Sequence, residues 1–93
     1  MGRGYELMIK VVKRDGQIAE FDLQKISNAV TKAFKATEQS YTDEIINLIS
    51  LRVTANFQDK INDNTVHVED IQDSVERTLD QTGYSKVAKA YIL

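Results

Sequence analysis

The sequence predicts a small α+β domain in which about four helices are capped by a short three-stranded antiparallel β-sheet. Three observations lead to this fold class. Apolar residues recur at helical spacing in four separate stretches. Short β-prone stretches precede the first and third of these helices. With 93 residues and 42% hydrophobic content, the chain can form one core, but not a large one.

The first two strands are predicted to form a hairpin. The β-branched stretch 7–13 is the first strand, and 17–21 returns as the second. Asp15-Gly16 between them is a strong hairpin signal, because glycine tolerates positive φ and aspartate tolerates it better than most residues. A third strand is predicted over 65–68, after a polar loop.

The first two helices are predicted from a cap and an apolar stripe each. Asp22 is expected to cap the first helix, since its carboxylate can accept free N–H groups of the first turn. Ser40, with Asp43 three residues later, resembles a capping box for the second helix. The apolar positions of the first helix are Leu23, Ile26, Val30, Ala33 and Phe34. Those of the second are Ile46, Ile49, Val53 and Phe57, widened by Ile45 and Leu48.

The third and fourth helices complete the predicted bundle. Glu69 and Asp70 place acid in the first turn of the third helix, as the helix dipole favours. Gly83 is expected to end that helix. The last helix starts near Ser85 and is still apolar in pattern when the sequence stops at Leu93. This abrupt end suggests a piece cut from a longer protein.

The hairpin tip and the start of the first helix predict an anion site. Lys13 and Arg14 are adjacent and can donate charge-assisted hydrogen bonds to phosphate. Lys25 lies in the first helical turn, where a cation opposes the helix dipole unless an anion binds. A phosphate-bearing ligand is the first hypothesis. An ordinary hairpin with a solvated charged tip fits the same residues equally well.

The apolar residues beside these cations have two interpretations. Val11 and Ile26 could flank a flat ligand such as a purine, and Phe21 could stack on a base. All three are also ordinary core positions, which is the stronger prior. Asp22 could accept from an amino group or a hydroxyl of a ligand, although its role as a helix cap explains it fully.

Composition and motifs argue against several other functions. The chain has no cysteine, hence no disulfide, thiolate zinc site or cysteine nucleophile. Its net charge of −2 argues against direct nucleic-acid binding. The absence of a long apolar run predicts a cytoplasmic protein without a membrane span. His67 lacks partners at metal-ligand spacing, so we expect no metal site, and without a glycine-rich loop or Ser-His-Asp set we expect no catalytic residues.

The sequence resembles the ATP-cone domain family in two motifs. The first is Val11-Val12-Lys13-Arg14-Asp15-Gly16, followed by Phe21-Asp22-x-x-Lys25-Ile26. The second is Val68-Glu69-Asp70-Ile71-Gln72-Asp73-x-Val75-Glu76, with the ending Gly83-Tyr84-x-x-x-Ala88-Lys89-Ala90-Tyr91-Ile92-Leu93. Two motifs in the right order are more specific than either alone. The match spans 8–93 and leaves 1–7 as an N-terminal leader.

The resemblance implies a regulatory module of ribonucleotide reductases. In such modules ATP leaves the enzyme active and dATP turns it off, often by changing oligomeric state. The implied ligand is ATP or dATP, with Mg²⁺. The implied partners are the catalytic domain of the parent reductase and a second cone. The implied fold is a helical bundle lidded by a three-stranded sheet.

The resemblance also implies the site residues. The phosphate-contacting pair falls on Lys13 and Arg14, and the helix-start lysine on Lys25. Val11 and Ile26 fall near the base. The full predicted nucleotide-binding set is Val11, Lys13, Arg14, Phe21, Asp22, Lys25, Ile26, Val68 and Gln72.

Two alternatives stay open at this stage. The family also occurs in a repressor of reductase genes behind a zinc ribbon, which the lack of cysteine disfavours here. The chain could also be a degenerate cone that only mediates protein interactions. Members of the family continue with basic residues beyond the position of Leu93, which makes Leu93 a candidate pocket wall.

Overall fold

The computed structural model describes residues 9–92, in which four helices pack beneath a three-stranded sheet. This confirms the α+β class and the four predicted helices. The strands are β1 (Lys10–Val12), β2 (Ile18–Glu20) and β3 (Thr65–His67). The helices are α1 (Leu23–Ala36), α2 (Asp43–Asn56), α3 (Val68–Gln81) and α4 (Ser85–Ile92), with a 3₁₀ turn, Gln58–Lys60, after α2.

The sheet is mixed, so the prediction of a purely antiparallel sheet is wrong. Its order is β2-β1-β3, and β1 pairs antiparallel with β2 but parallel with β3. Val11 lies opposite Ala19 on one side and Val66 on the other. The Lys10 N–H donates to the Asn64 carbonyl at 2.9 Å, so the start of β3 meets the start of β1. Strand propensity carries no information on this direction.

The β1–β2 hairpin has a three-residue loop. The Gly16 N–H donates to the Lys13 carbonyl at 2.9 Å, and the Lys13 N–H donates to the Gln17 carbonyl at 2.8 Å. Gly16 has φ +87°, whereas Asp15 is not in the positive-φ region. Asp15 instead accepts the Gln17 N–H at 3.0 Å. This is a type I turn with a glycine bulge rather than a two-residue Asp-Gly turn.

A second tight turn leads into β3. Asp63 and Asn64 have φ of 56° and 60°. Asn62 and Thr65 exchange both backbone hydrogen bonds, at 2.8 and 3.0 Å. Two consecutive residues of positive φ are the signature of a type I′ turn, which Asn and Asp tolerate best after glycine. The polar stretch 59–65 was predicted only as a loop.

The helix starts agree with the sequence in one case and differ in another. Asp22 caps α1, accepting the Gln24 N–H at 3.0 Å as predicted. The cap of α2 is Thr42, which accepts the Ile45 N–H at 3.1 Å, so the prediction of Ser40 is wrong. Thr42 has the extended backbone that a cap requires and lies directly before the first helical residue.

The ends of α1 and α3 share one hydrogen-bond pattern. At α3, Gly83 has φ +93°, and the Tyr84 N–H reaches the Leu79 carbonyl at 2.8 Å. At α1, Glu38 has φ +59°, and the Gln39 N–H reaches the Phe34 carbonyl at 3.2 Å. Both are Schellman motifs, which place one residue in the left-handed region. Gly83 confirms the predicted cap.

The core lies between the four helices. α1 and α3 each pack against both α2 and α4. Phe34 is fully buried and meets the rings of Tyr41 and Tyr84 at centroid distances of 5.6 and 5.0 Å. Leu48, expected to widen the apolar face of α2, is instead 51% exposed because it lies off the buried stripe. No helix within 9–92 is long and apolar enough to cross a membrane.

We predict that Gly83→Ala lowers the free energy of unfolding by about 1–2 kcal/mol. A Cβ at this position meets no atom within 4 Å, so the cost is the left-handed backbone alone. Urea denaturation followed by helical circular dichroism measures it. Gln81→Ala, at an exposed position of the same helix end, is the control and should change stability by less than about 0.5 kcal/mol.

At the end of α1, a residue with left-handed backbone can be replaced by glycine. Glu38→Gly should raise the free energy of unfolding by about 0.5–1 kcal/mol, because relief of the left-handed strain exceeds the added entropy of the unfolded chain. The same denaturation assay tests this. A loss of stability would show that the Glu38 side chain contributes more than its backbone costs.

Candidate functional site

A cleft lies between the sheet, the first turns of α1 and α3, and the last turn of α4. Its inner part has a volume of about 190 Å³ and is walled mainly by apolar side chains. Its outer part has a volume of about 580 Å³ and is more polar. The two parts share the lining residues Ala29, Gln72 and Tyr91, so they adjoin each other.

Each wall of the cleft follows from the periodicity of its element. On the hairpin, Val11 and Lys13 are two residues apart and therefore share one face of the strand. On α1, Asp22, Lys25, Ile26 and Ala29 recur at the spacing of one helical face. On α3, Val68, Ile71 and Gln72 do the same.

The structure brings all nine predicted site residues to this cleft. Arg14 lines the outer part. The other eight line the inner part: Val11, Lys13, Phe21, Asp22, Lys25, Ile26, Val68 and Gln72. Their convergence is a fact of the fold, while their contact with a nucleotide stays a prediction. His67 ends β3 with an exposed side chain and is not among the lining residues.

Phe21, the aromatic residue of the predicted set, both packs against the core and lines the cleft. Phe21 is half-buried and packs edge-on against Phe57 at a centroid distance of 5.7 Å. Phe21 also lines the inner cleft. Phe21 therefore packs against the core and also lines the cleft, whereas its stacking on a base stays a prediction.

Cations are placed where the helix backbone also favours an anion. Lys13 and Lys25 have exposed side chains at the inner cleft. The first turn of α1 contains no acidic residue. The Asp22 carboxylate caps α1 by accepting the Gln24 N–H, and the two lysines are the cations beside this helix start.

Arg14 is held by two side chains of α3. Its Nη2 donates to Oε1 of Gln72 at 2.7 Å, and its Nε lies 3.5 Å from Oε2 of Glu69. The side chains of Arg14 and Glu69 are 68% and 51% exposed. The hairpin tip is thus tied to the start of α3 across the mouth of the cleft.

Several lining residues were missed from the sequence. They are Ala19, Glu20 and Ile71 in the inner cleft, Asp73, Glu76 and Ile92 in the outer cleft, and Ala29 and Tyr91 in both. Tyr91 was visible as part of the apolar stripe of the last helix, but nothing local indicated that this helix ends at the cleft. Burial raises the pKa of the Tyr91 phenol, so it stays neutral at physiological pH. Leu93, the predicted pocket wall, is outside the described residues.

The cleft does not include a preformed metal site. Among residues 9–92, no three or more His, Asp or Glu side chains are grouped to hold a metal ion. The carboxylates Asp73 and Glu76 line the outer cleft. Any divalent cation would therefore depend on oxygens that the ligand brings with it, as Mg²⁺ commonly does with phosphates.

Comparison with known proteins gives consistent matches. The chain is 39% identical over 92 residues to the ribonucleoside-diphosphate reductase subunit alpha of Chlamydia pneumoniae, covering 92% of this chain and 9% of that protein. It is 36% identical over 85 residues to the anaerobic ribonucleoside-triphosphate reductase of Haemophilus influenzae, covering 88% of this chain and 11% of that protein.

A third relative belongs to a different kind of reductase. The vitamin B12-dependent ribonucleoside-diphosphate reductase of Mycobacterium tuberculosis is 37% identical over 84 residues, covering 90% of this chain and 11% of that protein. The chain thus spans about a tenth of the length of these curated relatives. The family model of the ATP cone domain matches residues 9–93. The chain therefore belongs to the ATP-cone domain family.

Proposed function

We propose that this chain is an allosteric nucleotide-binding domain that binds ATP or dATP, with Mg²⁺, and controls the activity and oligomeric state of a parent ribonucleotide reductase. The domain itself catalyses nothing in this proposal. The observation that carries it is the cleft of two adjoining parts, which is apolar inside and bordered by Lys13, Arg14 and Lys25.

The two parts of the cleft suit the two parts of a nucleotide. The two faces of a purine are flat and can pack against apolar side chains, and the inner cleft offers Val11, Phe21 and Ile26. The triphosphate is a chain of anions, and Lys13, Arg14 and Lys25 can donate charge-assisted hydrogen bonds to it. Mg²⁺ would arrive on the phosphate oxygens. Sites of this kind are concave and mostly apolar, with a few convergent polar groups.

The allosteric part of the proposal needs a difference between ATP and dATP. A ligand that binds both states of a protein equally shifts nothing between them. The two nucleotides differ by one 2′-hydroxyl, so that group must change the pose or the partner surface. The surface would meet the catalytic domain of the reductase or a second cone.

The named relatives favour a reductase as the parent protein. All three described above are reductases, although of different kinds. A reductase parent and a nucleotide effector both point to the cytoplasm. The alternative of a repressor has no supporting observation among these relatives.

Isothermal titration of the chain with ATP and with dATP, each in Mg²⁺ buffer, tests the proposal. We expect saturable binding of both with micromolar-scale affinity. GTP is the matched control for base recognition and should bind more weakly. No detectable binding of either adenine nucleotide, by heat or by thermal shift, would reduce the assignment to family membership without a working sensor.

Removing the basic pair should weaken triphosphate binding. We predict that Lys13→Ala with Arg14→Ala lowers ATP affinity at least tenfold, because hydrogen bonds to charged groups are worth about 1.5–3 kcal/mol each. Both side chains are exposed, so the fold should be unaffected. The control is Lys35→Ala with Lys86→Ala, which removes the same charge from exposed positions outside the cleft lining. Equal affinity in the two double variants would exclude the phosphate site.

Filling the cleft with a larger apolar side chain tests the proposed site without changing any charge. Ala29 lines both parts of the cleft, so Ala29→Leu should fill their junction and lower ATP affinity more than tenfold. Leucine is nearly as good a helix former as alanine, so the melting temperature should change little. Ala55→Leu, at an exposed position of α2 outside this cleft, is the control. Undiminished binding by Ala29→Leu would place the ligand elsewhere.

A further inference from the structure

The contact between Arg14 and α3 occupies two N–H donors that the phosphate of the proposed ligand would use. Arginine has five N–H donors, and a phosphate is bound best by two of them in parallel. Nε and Nη2 lie on one edge of the guanidinium, and both are already engaged. Nη2 donates to Gln72 at 2.7 Å, and Nε faces Glu69 at 3.5 Å.

A phosphate that uses this edge must displace the carboxylate of Glu69. A phosphate that uses the free edge of Arg14 still meets the negative charge of Glu69 beside it. In either geometry Glu69 opposes the anion, whereas Gln72 is neutral and does not. The sign of the effect is therefore fixed by the charge of Glu69 and not by which edge binds.

We propose that Glu69 is an internal anion that competes with the ligand's phosphate for Arg14, and so sets the affinity of the cleft below what its cations would give. This inference rests on the proposed nucleotide-binding function. It concerns any phosphate-bearing ligand of the cleft. Because Arg14 sits on the hairpin tip and Glu69 on α3, ligand binding also exchanges a contact between these elements for one with the ligand.

The pair is exposed, which limits the size of the effect. Exposed ion pairs contribute little, so its removal should tighten ATP binding about two- to fivefold. Glu69 has a second role as an acid in the first turn of α3. Glu44 has the same position in α2, second residue of a fourteen-residue helix, and is exposed. Its variant therefore reports the helix effect by itself.

The experiment is calorimetric titration of the chain with ATP in Mg²⁺ buffer, for the unmodified protein and three variants. Glu69→Gln keeps the shape and removes the charge. Glu76→Gln removes a charge that also lines the outer cleft but has no ion pair within 9–92. Glu44→Gln is the helix control. We expect two- to fivefold tighter binding for Glu69→Gln and a smaller gain for Glu76→Gln, with thermal unfolding of Glu69→Gln matching that of Glu44→Gln.

The other outcomes distinguish a failure of the Glu69 proposal from a failure of the proposed nucleotide-binding function. If Glu76→Gln tightens binding as much as Glu69→Gln, the effect is general electrostatics and the competition for Arg14 is overturned. If Glu69→Gln binds more weakly, Glu69 positions Arg14 for the ligand, and the inference is again overturned. In both cases the proposed function stands. If the unmodified chain binds no ATP, the proposed function fails first.

A double-mutant cycle supplies an independent check. The gain from Glu69→Gln should shrink in the Arg14→Ala background, because the competition for Arg14 is lost and only direct repulsion by the carboxylate remains. The same gain with and without Arg14 would overturn the inference.

Discussion

The parallel pairing of β1 with β3 determines where the site lies. β1 ends at Val12, which is opposite His67, the last residue of β3. α3 begins at the next residue, Val68. Arg14, two residues after the end of β1, therefore lies beside the start of α3, where Glu69 and Gln72 contact its side chain. With antiparallel pairing, α3 would start at the other end of β1, and these contacts would not form.

The antiparallel pairing of β2 with β1 positions the start of α1. β2 ends at Glu20, opposite Lys10 at the start of β1, and α1 begins after only two further residues. The two helix starts thus leave the sheet at opposite ends of β1, and the cleft extends between them beneath Val11. Short connections matter here, because a longer loop would let the helix start lie away from the sheet. Pairing and connection length together set the positions of the cations.

The local features of the fold could be predicted because their causes are local. Asp22 caps α1 through the residues directly after it, and Gly83 ends α3 through its own backbone freedom. The core positions of α1 follow from spacing alone. The error at the start of α2 has a local competitor, because Thr42 takes the cap that Ser40 was expected to supply. Within the predicted loop, Asp63-Asn64 forms a tight turn without the glycine that usually signals one. Lys13, Arg14 and Lys25 were predicted from their charge and position, whereas Val68 and Gln72 were predicted through resemblance alone. Only the fold brought the whole set together.

By itself, the sequence determined the helices, the hairpin and the residues able to bind phosphate, since periodicity, capping and side-chain chemistry act over a few neighbours. The tertiary structure decided strand direction, the place of Tyr91 in the cleft and the contact of Arg14 with Glu69. These depend on residues far apart in the chain, such as Arg14 and Gln72, which are 58 positions apart and hydrogen-bonded. Such contacts depend on how the helices pack against the sheet, which no short stretch of sequence encodes.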